Sequence, residues 1–295
     1  MIHIQAGVTP FKDLLSAGEH YGARKEVMIR IVRKPTDTPG DDSTGMVIAA
    51  LEERNADFTE LDLSAVDPFS NEVSRDIIWV CGIRQDLVQF EVISALALSN
   101  RVVNSPSAIA ACASKAQTTA RMMQENVPTP ATKFTASLDE VAAFLEKYGT
   151  AVYKPLYGYD GNGIFPFTEI SELEEGPYYI QQYIANDRDY RVFVIDGTAV
   201  GAIMRTSDSF AHNIHQGGCG IALETIPPKM AEIASAAARA MKIDYCGVDL
   251  LDHHGSYTVL EVNGTPNWHC MTAPIPELLA DYLIRENENM KNQDK

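Results

Sequence analysis

The sequence predicts a mixed α/β chain, and three observations carry that prediction. Short β-rich apolar runs alternate with helical stretches between Val27 and Val103, which implies a small α/β unit with a largely parallel sheet. Beyond Ala151 the strand-like runs instead meet across glycine-containing turns, which implies antiparallel pairs. At 295 residues, 45% hydrophobic and 22% charged, the chain is long and apolar enough for two or three modest folded units.

Residues 1 to 25 are weakly patterned and read as a lead-in segment. Val27 to Val32 alternates as a strand, and a loop rich in Pro, Gly and Asp runs from Lys34 to Ser43. Thr44 is the expected cap of a helix over Met46 to Arg54, and Phe58 to Leu63 and Asp76 to Cys81 are expected strands. Asp86 to Ser99 has helical apolar content, and Arg101 to Val103 makes a short strand. Ser105-Pro106 reads as the N-cap and first residue of one alanine-rich helix from Ser107 to Gln124, which carries Lys115 and stops before Pro128 and Pro130. Leu138 to Tyr148 is an amphipathic helix closed by Gly149.

Ala151 to Pro155, a loop through Gly158, Gly161 and Gly163, and Ile164 to Phe167 read as strand, glycine loop, strand. This loop opens a strand rather than a helix, so it is neither a Walker loop nor a dinucleotide fingerprint. Its glycines would still let backbone N–H groups approach an anion, with Lys154 supplying positive charge; the plain alternative is a hairpin turn. Tyr178 to Ile184 is a strand. Arg191 to Ile195 and Ala199 to Met204, joined at Asp196-Gly197, form an expected hairpin with Arg191 and Arg205 at its open ends. Two guanidiniums brought together there need an anion between them, unless both are solvated edge residues. Asn213 to Gly218 is a polar loop suited to close ligand approach, and Met230 to Met241 is an alanine-rich helix.

The last hairpin is the most informative stretch. Cys246 to Asp252 and Tyr257 to Asn263 flank a turn through His253, His254 and Gly255. Side chains alternate along strands, so Glu261 and Asn263 share a face, and a turn centred on His254 or Gly255 puts Asp249 on that face too. Two carboxylates and an amide oxygen suit a hard divalent cation; the alternative is a polar edge facing water.

Composition excludes some classes. Lys and Arg total 24 against 40 Asp and Glu, a formal charge of -16, which argues against nucleic acid or an anionic membrane as the main partner. The five cysteines are scattered singly, indicating neither a zinc knuckle nor a disulfide framework. With no signal peptide pattern and no membrane-length apolar run, a cytoplasmic protein is expected.

The motifs in order are NSPSAIAACASK, AVYKPLYGYDGNGI, YIQQYI with DYRVFV, AIMR, NIHQGG, GVDLL and LEVNGTP. Over about residues 76 to 270 this set resembles the ATP-grasp superfamily, and within it the RimK-like amino-acid ligases. The resemblance implies a small N-terminal α/β pre-ATP-grasp domain (residues 1–105) and a two-part ATP-grasp module: a central lid domain (106–185) and a C-terminal domain with the metal site (186–295). It implies that Lys115 and Lys154 contact ATP phosphates and that Gly158, Gly161 and Gly163 form the phosphate flap. Gln182 and Tyr183 would meet adenine, and Asp189 the ribose. Arg191, Arg205 and Asn213 would be reaction-centre residues, and Asp249, Glu261 and Asn263 would hold Mg²⁺ or Mn²⁺, two ions in all. His215, in the same loop as Asn213, is a further candidate on the amine side.

The implied reaction is ADP-forming ligation through an acylphosphate, with L-glutamate as the amine. The acceptor would be a small carboxylate-bearing coenzyme such as a tetrahydromethanopterin or a deazaflavin, or else a carrier protein or ribosomal-protein tail. The charge of -16 disfavours an acidic carrier. Trp268 and Tyr157 offer stacking surfaces for a pterin-like ring. A homo-oligomer is compatible with the sequence. The sequence departs from the family at Ser114, where Asp is usual, at Gln182, where Glu is common, at Ala211-His212, and at Thr265 to His269. Rival readings are an ATP-binding sensor without catalysis and a nicotinamide-dependent enzyme, the latter lacking its glycine-rich turn after the first strand.

Overall fold

The computed structural model describes residues 26–84, 87–156, 163–206 and 219–293. The lead-in segment, Tyr157, Gly158, Gly161, Asn213 and His215 lie outside the described residues.

The first unit alternates as expected: β1 (Ile29–Val32), α1 (Ser43–Glu53), β2 (Phe58–Glu60), β3 (Ile77–Val80), α2 (Leu87–Leu96) and β4 (Arg101–Val103). Its strands are parallel in the order β2-β1-β3-β4. Every residue of β3 is buried, as a continuous apolar run in a parallel sheet covered on both faces requires. Helix α1 begins earlier than expected. Asp42, not Thr44, is its N-cap and accepts from the Gly45 N–H at 2.7 Å. Thr44 is buried and accepts from the Lys34 N–H at 3.0 Å instead.

The expected single helix from Ser107 to Gln124 is two: α3 (Pro106–Ala113) and α4 (Lys115–Gln124). Ser105 caps α3 as expected. The break is at Ser114, whose extended backbone (φ -95°, ψ 106°) ends α3 while its hydroxyl accepts from the Gln117 N–H and caps α4. Lys115 thereby becomes the first residue of a new helix with a new direction.

A second sheet is antiparallel, in the order β5-β8-β6-β7, from β5 (Thr132–Thr135), β6 (Ala151–Tyr153), β7 (Phe165–Phe167) and β8 (Tyr178–Gln182). Helix α5 (Leu138–Tyr148) closes at Gly149, whose φ of 77° is left-handed. Its Val141 and Phe144 cover one sheet face, against Ala151, Phe167, Tyr178 and Ile180.

The third sheet has five strands in the order β11-β10-β9-β12-β13. They are β9 (Arg188–Ile195), β10 (Thr198–Thr206), β11 (Cys219–Ala222), β12 (Tyr245–His253) and β13 (Ser256–Asn263), with α6 (Pro228–Met241) and the terminal α7 (Ile275–Gln293). Strand β11 and helix α7 go beyond the sequence expectations. The Asp196-Gly197 turn has φ of 49° and 71°, both positive, as a two-residue hairpin turn demands. On one face α6 packs its alanines on Val192, Val248 and Val262. Helices α3 and α4 bury Ala108, Ala111 and Met122 in that same core, although a boundary at residue 105 groups them with the central segment. The other face carries Phe193 and Tyr245 into a core shared with Ile31 and Trp79 of the first sheet and Leu279 and Leu283 of α7.

One buried side chain joins the first sheet to the third. Asn104 follows β4, and its Nδ2 donates to the carbonyls of Tyr245 and Gly264, each at 2.7 Å. Its Oδ1 accepts from the N–H groups of Asp244 (2.9 Å) and Tyr245 (3.0 Å). Beside it, Arg101 pairs with Asp244 and reaches Glu286 of α7 at 3.2 Å. Asn104→Ala would leave these buried backbone groups without partners. It is expected to lower stability by about 2–4 kcal/mol in urea titrations, since each orphaned group costs roughly 1–3 kcal/mol; a loss below about 1 kcal/mol would show that the join does not depend on Asn104.

Candidate functional site

The site is built on the β12–β13 hairpin, whose turn has His254 and Gly255 at φ 51° and 73°. The register sets Asp249 directly opposite Glu261 and Gly247 opposite Asn263. A bulge follows at Leu250, which pairs with Val259, so the apolar residues beyond it stay in the core while Asp249 remains on the face of Glu261. The three oxygen-bearing side chains therefore share one face, with the Asn263 amide 3.3 Å from Glu261 Oε1.

Arg191 faces Asp249 from the neighbouring strand β9. Its Nε and Nη2 donate to the two carboxylate oxygens at 2.7 and 2.8 Å. Arg205 Nη2 lies 2.9 Å from Asp249 Oδ2, and Arg205 also grips Asp189 in a fork at 2.6 and 2.9 Å. The anion between the two arginines is thus the protein's own Asp249 carboxylate. Asp189, expected at a ribose, lies buried against Arg205 because β9 and β10 pair these two residues. Burial alone would raise the Asp249 carboxyl, but the Arg191 and Arg205 guanidiniums outweigh it and hold it well below the usual carboxylate range.

Across from this hairpin stand two lysines. Lys154 directly follows β6 and donates to Gln181 Oε1 at 2.6 Å. Burial and, to a smaller extent, the nearby Lys115 lower its pKa to about 8 against the opposing pull of Glu261. Lys115, aimed by the break at Ser114, is lowered by burial and held up by Glu261. Glu261 touches solvent at the cleft while protein crowds its other sides. That crowding, with the nearby Asp249 charge, raises its pKa. Lys115 and Lys154 therefore both sense Glu261, which in turn senses Asp249, whereas Gln182 and Tyr183 stand half-exposed where β8 leads into β9. Gly163 precedes β7 with φ 73°.

Trp268 is not a stacking surface. It is 7% exposed and packs edge-on against Phe193 at 6.0 Å, while its neighbour His269 turns outward to Asp41 at 3.0 Å. Gln181 was not among the expected site residues. The signal for it is the strand alternation in Tyr178–Gln182, which sets Gln181 on the face of Tyr179, opposite the apolar face of Tyr178 and Ile180.

Among the described residues no three His, Cys, Asp or Glu side chains group as metal ligands, and at this hairpin the Asn263 amide would join the two carboxylates. The donor chemistry fits a hard cation. Glu261 is raised by a second carboxylate, a charge excess that a cation relieves, and turning the Asn263 amide presents its oxygen. A carboxylate has about four lone-pair directions. Arg191 and Arg205 use both oxygens of Asp249 and leave a direction on Oδ1.

The model of the RimK-like ATP-grasp domain matches residues 112–283. The chain belongs to the RimK-like ATP-grasp family. A tetrahydromethanopterin:alpha-L-glutamate ligase of Methanocaldococcus jannaschii is 31% identical over 215 residues, 67% of this chain and 74% of that one. A probable alpha-L-glutamate ligase of Hydrogenovibrio crunogenus is 32% identical over 213 residues, 67% and 69% of the two chains. The fold matches the ATP-grasp ligase PsnB complexed with a phosphomimetic variant of minimal precursor, Mg and ADP, with TM-score 0.71 at 20% identity over 89% of this chain and 99% of that one. It also matches the D-alanine–D-alanine ligase of Bacillus anthracis complexed with ATP, with TM-score 0.65 at 16% identity over 91% and 100%. This ATP-grasp chain is accordingly an ATP-dependent ligase. No helix among its described residues is long and apolar enough to cross a membrane.

Because Arg205 neutralises two buried carboxylates, Arg205→Met is expected to destabilise the protein by about 3–5 kcal/mol. Arg205→Lys should recover less than half of that, since an ammonium cannot reproduce the fork on Asp189. Denaturant titration of both variants measures this, and a Met variant as stable as the parent would remove the network from the core's energetics.

Proposed function

We propose that this ligase joins L-glutamate to a carboxylate of a small coenzyme, a tetrahydromethanopterin-like acceptor, through an acylphosphate. The observation that carries the reading is the cleft pairing Lys115 and Lys154 with the Asp249, Glu261 and Asn263 face, in a chain whose relatives include tetrahydromethanopterin:alpha-L-glutamate ligases at 31% and 28% identity.

The two lysines neutralise the ATP phosphates, and Gly158, Gly161 and Gly163 would supply the flap. A Mg²⁺ ion would be held by Glu261, Asn263 and the remaining lone pair of Asp249, and would supply positive charge to offset that of the phosphates. The acceptor carboxylate attacks the γ-phosphorus and ADP leaves. The glutamate amine then attacks the acyl carbon, a C–N bond forms, inorganic phosphate departs and the amine proton passes to solvent. Phosphoryl transfer of this kind is mostly positioning and charge neutralisation, so no covalent protein nucleophile is required. Three of the five cysteines agree with that chemistry: burial pushes the Cys81 and Cys112 thiols up to about 12 and Cys246 also upward, keeping them protonated. Arg191, in one row with Asp249 and Glu261, would meet the acceptor carboxylate or the acylphosphate, and Asn213 or His215 would line the amine side.

Phosphate release from Mg·ATP and L-glutamate, screened over pterin, deazaflavin, carrier-protein and ribosomal-tail acceptors, tests the reading. Turnover is expected with the pterin; turnover only with a protein acceptor, or with none, overturns it. Lys154 gives a second test. At pH 8 it is about half neutral in the free protein, and phosphate contacts favour the ammonium, so nucleotide binding should take up protons near pH 8 and few below pH 7. Calorimetry in two buffers of different ionisation enthalpy reads this uptake. Lys154→Met should abolish it and weaken ADP binding about tenfold or more; unchanged affinity would remove Lys154 from the phosphate site.

A further inference from the structure

Gln181 is 2% exposed in the middle of the second sheet, yet it is polar and faces away from that sheet's apolar core. Each of its polar ends has a defined partner. Thr132 lies opposite it on β5, and the Thr132 hydroxyl donates to the Pro130 carbonyl at 2.8 Å. A hydroxyl has a single hydrogen, so toward Gln181 Thr132 can only accept. Gln181 Nε2 therefore donates to Thr132 Oγ1 at 3.0 Å, and Gln181 Oε1 is left facing Lys154 Nζ at 2.6 Å. The reverse amide orientation would set an NH₂ against an ammonium. Pro130, Thr132, Gln181 and Lys154 thus form a chain whose polarity runs one way.

We propose that Gln181 and Thr132 are positioning residues that hold the Lys154 ammonium toward the nucleotide phosphates without neutralising it. The inference rests on the reading of Lys154 as a phosphate ligand and adds the device that aims it. The contrast with the neighbouring cations carries the argument. Arg191 and Arg205 are held by carboxylates, which take up much of their charge. Lys154 is held by a neutral amide oxygen, which fixes its direction and leaves its charge for a ligand. Glu261 attracts Lys154 across the cleft. Without the amide, the flexible lysine would turn to that carboxylate and close the site with an internal ion pair.

The test is a double-mutant cycle on Mg·ADP affinity, measured by calorimetry with the full chain. Gln181→Leu and Thr132→Val are each expected to weaken binding about fivefold to tenfold, and Thr132→Ser, which keeps the hydroxyl, to stay within about twofold of the parent. In a Lys154→Met background, Gln181→Leu and Thr132→Val should have no further effect, because there is no ammonium left to aim. The same weakening in both backgrounds would mean a structural role only and would overturn the proposal, as would parent-like affinity in both Gln181→Leu and Thr132→Val. Should Gln181→Leu not fold, Thr132→Val alone completes the cycle. If Lys154→Met itself binds Mg·ADP like the parent, the phosphate-ligand reading fails first. Loss in Lys154→Met without loss in either partner variant leaves that reading standing and removes only the positioning.

Discussion

A carboxylate in the middle of a buried strand stays charged only if positive groups meet it, and the third sheet is arranged around meeting that demand at Asp249. Arg191 comes from one neighbouring strand and Arg205 from the strand beyond it, while Asp189 takes the other side of Arg205. The register of β9, β12 and β13 is what draws Arg191, Asp249 and Glu261 into one row across the sheet. Slipping any of these strands by one residue would send its charged side chain to the opposite, apolar face. The hairpin, the bulge at Leu250 and the buried ion pairs are therefore one constraint seen at three levels.

That row also explains the electrostatics of the cleft. Asp249 is met by two guanidiniums, whereas Glu261, on the outer strand, has its carboxylate neighbour, Arg191 and Lys154 around it. Negative charge accumulates at exposed Glu261, and positive charge stands near it just after β6, at Lys154, and at the start of α4, at Lys115. In the proposed reaction this asymmetry gives a divalent cation and a polyphosphate their places on facing walls. Arg191 and Arg205 rest on carboxylates and Lys154 on an amide, and in the proposed reaction the amide leaves the Lys154 charge for the phosphates.

Much of this was legible in the sequence because it is local. Gly149 ending α5, the Asp196-Gly197 turn and the β12–β13 hairpin follow from residues within a few positions of one another, where backbone sterics and strand alternation decide. The shared face of Asp249, Glu261 and Asn263 is of the same kind. Less local features were not legible. A serine amid alanines gives little sign that it will end one helix and cap the next, as Ser114 does, because that choice depends on where α3 and α4 must pack. Trp268 looked available for a ligand, yet the sheet face beneath it needed a large apolar cover.

The sequence by itself determined the order of elements, the faces of the strands and the kinds of side chain that converge on the cleft, since these are properties of neighbouring residues and of a chain pattern shared with the RimK-like ATP-grasp family. Only the tertiary structure decided which charges pair. That Asp249 is shared by two arginines, that Asp189 is buried under Arg205, and that Lys154 rests on Gln181 rather than on a carboxylate depend on distances between strands far apart in the chain. Opposite charges attract at every such distance, and the fold selects among the pairings by bringing particular atoms within hydrogen-bonding reach.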